Sequence, residues 1–486
     1  LLFIYISKKK NKDKSFLKNK INMSLIKSIS GIRGTIGGQV GDNLTPLDAV
    51  KFAAAYGTWI KARNKQAKEI NIVVGRDARI SGAMISSLVT NTLIGLGVNV
   101  IDLGLSTTPT VEFAVPLENA QGGIILTASH NPKQWNALKL LNEKGEFLNG
   151  TDGLEILEFA ENEAFSFAEV DDLGTYKEDD SYLEKHIQAV LNLELVDVEA
   201  VKKAGFKVVL DAVNSTGGIF IPALLEKIGV ACVKLYCEPN GQFPHNPEPL
   251  KEHLGDISKL VVAEKANFGI VVDPDVDRLA IVSEDGSMFG EEYTLVACAD
   301  YVLGKLGGGN TVSNLSSSRA LRDITEKHGG NYTASAVGEV NVVAAMKATN
   351  TVIGGEGNGG IIYPESHYGR DSLVGVALFL SHLAKGDKSC KELRDSYPEY
   401  YMSKNKIQLT PTLDVDAILE QMAVKYKKET VNTIDGVKVD FADEWLHLRK
   451  SNTEPIIRIY TESGSQKTAD ALAFRAIDEI KEIAGL

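Results

Sequence analysis

Short β-branched runs alternate along the chain with stretches whose apolar residues recur every three and four positions. Residues 70–74, 98–103, 123–126, 207–210, 231–236, 269–272 and 352–355 have the first pattern and predict strands. Residues 47–63, 84–96 and 223–228 have the second and predict helices. Strands that alternate with helices imply α/β layers with parallel or mixed sheets, whose ligands bind beyond the carboxyl ends of the strands. Three polar segments fall at such ends. Residues 123–126 run into Thr127-Ala-Ser-His-Asn-Pro132, residues 269–272 into Asp273-Pro-Asp-Val-Asp-Arg278, and residues 351–353 into Gly354-Gly-Glu-Gly-Asn-Gly-Gly360. One strand-then-polar-loop device used three times predicts three related α/β domains.

The last stretch differs. Residues 437–441, 445–448 and 456–460 are strand-like and closely spaced after Ile407, and a helical tail follows over 466–483. This reads as a small α+β lobe, expected to move because few helices flank it. Junctions are expected near Gly286, residues 385–388 and Pro411. The domains are expected at 23–172, 173–286, 287–396 and 397–486. Residues 1–22 are read as a non-native or disordered extension, with a basic surface anchor as the alternative. Their six apolar residues precede the basic run over 8–20, the reverse of a secretory signal, and the first methionine is Met23.

The 486 residues suffice for several domains, and 44% apolar with 24% charged residues is an ordinary globular mix. The 52 Lys and Arg against 64 Asp and Glu leave a net charge of −12, which disfavours nucleic acid as a partner. An anionic substrate must therefore be caught by local cations and backbone N–H groups. Four cysteines without a C-x-x-C pair suggest neither a disulfide framework nor a zinc site. No long apolar run follows, so no membrane partner and a cytoplasmic location are expected.

Ser129 follows a buried strand in a loop where Asn-Pro discourages helix and exposes the hydroxyl, as a nucleophile or phosphoryl carrier requires. The alternative is a turn in which Ser129 and Asn131 only satisfy backbone groups. Asp273, Asp275 and Asp277 alternate within six residues and would repel one another without a cation; all-oxygen donors select Mg²⁺ rather than zinc. Arg278 could serve that site or a substrate phosphate. A solvated acidic turn is the alternative. In the glycine-rich segment, Glu356 and Asn358 could read sugar hydroxyls while five glycines admit close approach, or the loop is merely flexible. Arg449, Lys450, Ser451, Asn452 and Thr453, with Arg458 beyond, group cations and hydroxyls as a phosphate cradle, or form a basic hairpin tip. The eight histidines show no ligand spacing, and only His130, beside Ser129, is a functional candidate. Together these parts point to phosphoryl transfer on a phosphosugar.

With these motifs in this order over residues 23–486, the chain resembles the α-D-phosphohexomutase family. Thr127 to Pro132 matches the family's phosphoserine loop, Asp273 to Arg278 its metal loop, residues 355–360 its sugar loop and residues 449–458 its phosphate loop. Ser30-Gly-Ile-Arg33 and Asn136-Ala-Leu-Lys139 match two further segments, the latter carrying the general-base lysine. The resemblance implies three related mixed α/β domains plus a C-terminal lobe of TATA-binding-protein-like fold around a central cleft. It implies a phosphorylated Ser129, Mg²⁺ on Asp273, Asp275, Asp277 and that phosphoserine, and a hexose 1,6-bisphosphate that turns over in the pocket. Arg33 and Lys139 would handle the proton and the transferring phosphate, with Lys139 depressed by neighbouring cations if it acts as base. Glu356 and Asn358 would read the sugar, and Arg449, Ser451, Asn452, Thr453 and Arg458 would hold the other phosphate. A monomer or homodimer is expected.

Three departures bear on the sugar. Asn358 stands where many members have Ser, and Gly360 where the phosphomannomutase/phosphoglucomutase branch often has His; this version of the loop favours glucosamine phosphate. Asn452 instead fits the mannose/glucose branch, and the segment 336–341 lacks a lysine that many relatives carry. A phosphatase and a catalytically silent phosphosugar-binding protein are the readings from other classes.

Overall fold

The computed structural model describes residues 24–28, 31–409, 413–450 and 456–485. The described residues begin with β1 (Ile26–Ser28) and β2 (Gly31–Thr35). The chain then alternates through α1 (Pro46–Arg63), β3 (Asn71–Arg76), α2 (Gly82–Gly95), β4 (Asn99–Leu105), α3 (Thr108–Leu117), β5 (Gly122–Leu126), β6 (Trp135–Leu141), α4 (Gly150–Glu161) and β7 (Tyr176–Glu178). These strands form one sheet in the order β1-β2-β6-β5-β3-β4-β7. α1 starts where Thr45 and Asp48 close a capping box and Pro46 supplies a first-turn φ.

Next come α5 (Tyr182–Leu191), α6 (Val198–Ala204), β8 (Lys207–Asp211), α7 (Gly217–Lys227), β9 (Ala231–Leu235), α8 (Gly255–Ala263), β10 (Phe268–Val272) and β11 (Leu279–Ser283). The third group is α9 (Glu291–Leu306), β12 (Asn310–Asn314), α10 (Ala320–Lys327), β13 (Tyr332–Ser335), α11 (Glu339–Ala348), β14 (Thr351–Glu356), β15 (Gly360–Ile362), α12 (Ser372–Lys385) and α13 (Cys390–Asp395). Their sheets run β11-β10-β8-β9 and β13-β12-β14-β15.

All three units share one wiring. In β4-β3-β5-β6, β9-β8-β10-β11 and β13-β12-β14-β15 the first three strands are parallel and the last is antiparallel. The third strand of each therefore leaves the sheet at its carboxyl end and returns through a tight loop into an antiparallel neighbour. Those return loops are the three polar segments singled out in the sequence. β5 and β10 are buried throughout, which is why they read as unbroken apolar runs.

β7 lies just past residue 172 and pairs in parallel with β4 as the seventh strand of the first sheet. Its three residues are all exposed, so no apolar alternation marks it in the sequence. The second and third units share one apolar core. Phe379 of α12 meets Phe268 of β10 and Phe289 edge-on at centroid distances of 5.4 and 5.3 Å.

The last unit comprises β16 (Tyr401–Gln408), α14 (Val415–Lys425), β17 (Thr430–Asn432), β18 (Val437–Asp440), β19 (Trp445–Lys450), β20 (Ile456–Ser463) and α15 (Gln466–Ala484). Its antiparallel sheet, β16-β20-β19-β18-β17, has a core of its own, with Leu446, Leu448, Ile457 and Ile459 packed under α14 and α15. Two helices thus cover a face expected to have little cover. The opposite face is polar and docks on the segment after β12. Lys438 Nζ donates to the Leu315 carbonyl at 2.8 Å, and Arg319 donates to the carbonyls of Ala442 and Glu444, each at 3.0 Å. Among the described residues, no helix is long and apolar enough to cross a membrane.

His447 lies in that docking face, with Nδ1 2.9 Å from Ser316 Oγ and Nε2 2.8 Å from the Asp435 carbonyl. Burial, reinforced by Lys438 and Arg449 against the pull of the Asp435 carbonyl, lowers its pKa to about 4 from 6.5. Between these values the unfolded chain takes up a proton that the folded chain refuses, so stability present above pH 6.5 is lost as pH falls toward 4, by up to ~3 kcal/mol. His447→Gln is expected to have a smaller drop in Tm between pH 7 and pH 5 than the unsubstituted protein; equal drops would remove His447 as the cause.

Candidate active site

Thr127 to Pro132 links β5 to β6 and is held in an unusual shape. Ser129 adopts φ +48°, a left-handed conformation that costs a non-glycine residue energy and is maintained only by its surroundings. Its backbone N–H donates to Thr127 Oγ1 at 2.9 Å, so Thr127 closes the local turn and the Ser129 hydroxyl is left free. That hydroxyl donates to Asp273 Oδ2 at 2.9 Å and lies 3.3 Å from His130 Nδ1, with Ser129 only 6% exposed. Arg79, buried, braces the loop from beneath. Its guanidinium donates to the carbonyls of Ser129, Asn131, Pro132 and Trp135, while Asp77 pairs with its Nε at 3.0 Å. Arg33 on β2 donates to Asn131 Oδ1 at 3.1 Å. The pKa of Arg33 is lowered by burial and by Arg278, and that of His130 lies well below its usual value from burial, Arg278 and Arg33. Positive charge is thus concentrated beside Ser129, an arrangement suited to an anion.

The loop from β10 to β11 places Asp273, Asp275 and Asp277 together, all buried. Val276 between them has φ +63°, a marked outlier for a β-branched residue. Asp273 Oδ1 accepts the N–H groups of Asp277 and Arg278, each at 3.1 Å. Asp275 Oδ2 accepts from Thr108 Oγ1 and from Lys139 Nζ, both at 2.6 Å; Asp277 Oδ2 accepts from Lys139 at 3.3 Å and from Arg370 Nη2 at 2.7 Å. Asp275 Oδ1 and Asp277 Oδ1 are buried with no hydrogen-bond partner. Burial and then Asp275 and Asp277 push Asp273 well above the carboxylate range. Orphaned buried oxygens and a carboxyl whose charged form is disfavoured both mark missing positive charge, and an all-oxygen donor set fits a hard divalent cation.

Lys139 corrects an expectation. Burial alone would lower its pKa, but Asp275 and Asp277 raise it well above the usual lysine value, against Arg370. The cations expected to depress it are outweighed by two carboxylates at ion-pair distance.

The loop from β14 to β15 is tied to the metal loop through backbone and side chain. Gly359, at φ +85°, accepts the Leu279 N–H at 2.9 Å, and a Cβ there would lie 2.2 Å from the Leu279 carbonyl oxygen, so glycine is required. Glu356 is buried with both oxygens engaged, by Asn314 and the Gly338 N–H on one and by Arg370 Nη1 at 3.0 Å on the other. Burial would raise its pKa, but Arg370 and Asn314 hold it low. Asn358, half-buried, accepts the Gly360 N–H at 3.2 Å. Arg370 is the residue that sequence reading missed most completely. Its three arms reach Asp277, Glu339 and Glu356, and no local motif announces it. It also accounts for Gly360: a Cβ at that position would lie 2.2 Å from Arg370 Cδ, in a side chain pinned by three ion pairs.

Arg278 is buried, with Nη1 3.3 Å from Glu248 and Nε without a partner. In the last unit Arg449 lies directly opposite Arg458, and Arg458 directly opposite Lys406. Like charges paired across strands are unfavourable, so this row is set for an anion. Arg449 Nε also lies 2.9 Å from Asp435, whose carboxylate accepts the Val337 N–H beside the sugar loop. Ser451, Asn452 and Thr453 lie outside the described residues.

Family models for phosphoglucomutase/phosphomannomutase match the chain in four successive parts: domain I at residues 25–167, domain II at 182–286, domain III at 290–401 and the C-terminal domain at 406–479. A phosphoglucomutase/phosphomannomutase of Thermococcus kodakarensis is 36% identical over 441 residues, 90% of this chain and 95% of its own. A phosphoglucosamine/phosphogalactosamine mutase of Sulfurisphaera tokodaii is 32% identical over 462 residues, 93% and 97% of the two chains. The crystal structure of a phosphoglucomutase/phosphomannomutase family protein from Burkholderia thailandensis superposes with a TM-score of 0.80 at 25% identity, covering 95% of this chain and 97% of the other.

Arg79→Met would leave Asp77 and four loop carbonyls without their partner. It is expected to cost about 3–5 kcal/mol of stability, the usual penalty for breaking a buried ion pair from one side. Chemical denaturation checks this; a change below about 1 kcal/mol, the scale of an exposed pair, would show that the brace carries no load.

Proposed function

This chain belongs to the phosphoglucomutase/phosphomannomutase family, and we propose that it is a phosphohexomutase that carries a phosphoryl group on Ser129 between the two ends of a hexose monophosphate. The observation that supports this best is the Ser129 hydroxyl, held in a strained loop and bonded to Asp273 of a buried three-carboxylate site. In this reading Asp273, Asp275 and Asp277, with the Ser129 oxygen, would hold Mg²⁺, which would supply charge neutralisation at the transferring group. Arg33 and Arg278, the latter shared with Glu248, would face the phosphoryl group with positive charge. Arg79 fixes the carbonyls that orient Ser129. Lys139 would take the proton of the accepting hydroxyl only when its hold on Asp275 and Asp277, which raises its pKa, is relaxed. His130 orients the serine loop. Glu356 and Asn358 contact the sugar, and Arg449, Arg458 and the 451–453 hydroxyl segment grip the phosphate that does not react. Because one cradle holds the same group in either orientation, a hexose 1,6-bisphosphate intermediate can turn over and return its other phosphate to Ser129.

We assign glucosamine phosphate as the preferred substrate. The glycine at 360, imposed here by Arg370, supports it, as does the Sulfurisphaera relative's name. The higher identity of the Thermococcus enzyme favours a mannose/glucose mutase as the second reading.

Ser129→Ala is expected to abolish interconversion of hexose 1- and 6-phosphates while phosphosugar binding, followed by calorimetry, stays within a few-fold of normal. Interconversion at the original rate would end the phosphoserine mechanism. Chelation should remove activity and Mg²⁺ restore it, whereas Asp275→Ala should stay inactive at any Mg²⁺ concentration; activity that survives metal stripping would contradict the metal assignment. Values of kcat/KM for glucosamine, glucose and mannose phosphates, measured with the bisphosphate present, should rank glucosamine first; glucose or mannose in first place selects the second reading.

A further inference from the structure

Behind the reaction centre lies a second buried polar cluster that the mechanism does not use. His186 of α5 and His367, 181 residues apart in sequence, both direct Nε2 at Asp371 Oδ2, at 2.9 and 3.2 Å. The other nitrogen of each ring faces α3. His186 Nδ1 is 2.8 Å from Thr110 Oγ1, and His367 Nδ1 is 3.6 Å from Glu112 Oε2, a carboxyl with no hydrogen-bond partner of its own. Phe113 stacks on the His186 ring at 5.1 Å. Asp371 is also the N-cap of α12, its Oδ1 accepting the N–H groups of Leu373 and Val374. Two of the eight histidines, which show no ligand spacing along the chain, are therefore gathered at a junction of the first three units.

The neighbours of this cluster hold the metal loop. Arg370, one residue before Asp371, grips Asp277, and the Ser372 N–H, one residue after, donates to the Val276 carbonyl at 3.2 Å. On the α3 side Thr108, two residues from Thr110, donates to the Asp275 carboxylate by its hydroxyl and to the Asp275 carbonyl by its N–H. The loop is thus clamped between α3 and the start of α12, and the cluster ties those two helices together. Apolar packing could supply cohesion at lower desolvation cost; directional hydrogen bonds to one carboxylate oxygen additionally define the rotation and depth of a helix end.

We propose that His186, His367 and Asp371 form a positioning device for the reaction, setting the α12 N-terminus against α3 so that Arg370 and Thr108 present Asp277 and Asp275 in their working orientation. The histidines are positioning residues, since their ring nitrogens face Asp371 and α3 and not the Ser129 loop. The proposal rests on the phosphohexomutase reading.

The test compares His186→Phe, His186→Asn and His367→Leu in the full-length enzyme, measuring Tm, kcat, hexose phosphate KM and the Mg²⁺ concentration for half-maximal activity. Loss of groups that orient metal ligands typically costs 10–100-fold, so His186→Phe should lower kcat and raise the Mg²⁺ requirement by ~10-fold or more. Its hexose phosphate KM should change less than about threefold, and His186→Asn, which keeps a side-chain donor, should recover most of the loss. If His186→Phe does not fold, His367→Leu, which removes only the second donor, is read the same way. A lower Tm with kcat and Mg²⁺ dependence unchanged would overturn the proposal, because the cluster would then be structural alone. A stoichiometric transition metal in the purified protein that disappears in His367→Gln would overturn it in favour of a metal site. An unsubstituted enzyme with no mutase activity would instead defeat the underlying functional reading, which separates the two failures.

Discussion

Three carboxylates buried within one six-residue loop repel one another, and much of the architecture supplies the positive charge that keeps them there. Arg278 of the same loop counters Asp273, and the charge that reaches Asp275 and Asp277 comes from other units. Lys139 reaches Asp275 and Asp277 from β6 of the first sheet, and Arg370 reaches Asp277 from the third unit. Thr108 adds a neutral donor from α3. In a low-dielectric interior an uncompensated carboxylate costs several kcal/mol, so the loop is tolerable only when the units are docked. Even then two carboxylate oxygens remain without partners, a residual demand that a divalent cation would satisfy.

The threefold wiring explains how groups so distant in sequence come within reach. Each unit ends its third strand in a tight return to an antiparallel neighbour, and the first three units turn these returns toward one another. Two of the loops hold non-glycine residues in left-handed conformations, Ser129 and Val276, which local preference alone would not maintain. Their support is visible: Arg79 anchors four carbonyls of the first loop, and the Ser372 N–H holds the Val276 carbonyl of the second. The third loop shows the same interdependence in its composition. Gly360 and Arg370 are one feature, since the guanidinium stem fills the volume a side chain at 360 would need.

The units are joined by two kinds of surface. The second and third share an apolar core through α9 and α12, while the last meets the rest through Lys438, His447, Arg319 and their carbonyl partners. A polar surface can be rehydrated when it opens, whereas an apolar core cannot be exposed without large cost. The row of Lys406, Arg458 and Arg449 belongs to the unit with the polar surface, so an anion held there would also bear on how that unit docks.

Contiguous features were legible in the sequence. Apolar periodicity located β3, β4, β5, β8, β9, β10 and β14 with α1, α2 and part of α7, but no helix of the third unit; the spacing of Asp273, Asp275 and Asp277 pointed to a cation site because those residues are neighbours in the chain. Ser129 stood out for the same reason, at the end of a buried strand. β7 was not legible, since three exposed residues carry no period. Arg79, Arg370 and the meeting of His186 with His367 were not legible either, because each depends on partners roughly 50 to 185 residues away or on another sheet. Lys139 marks the division most clearly: its family segment could be recognised from local sequence, but the direction of its pKa shift could not. A pKa is set by every charge within a few ångströms, and only the folded chain decides which charges those are.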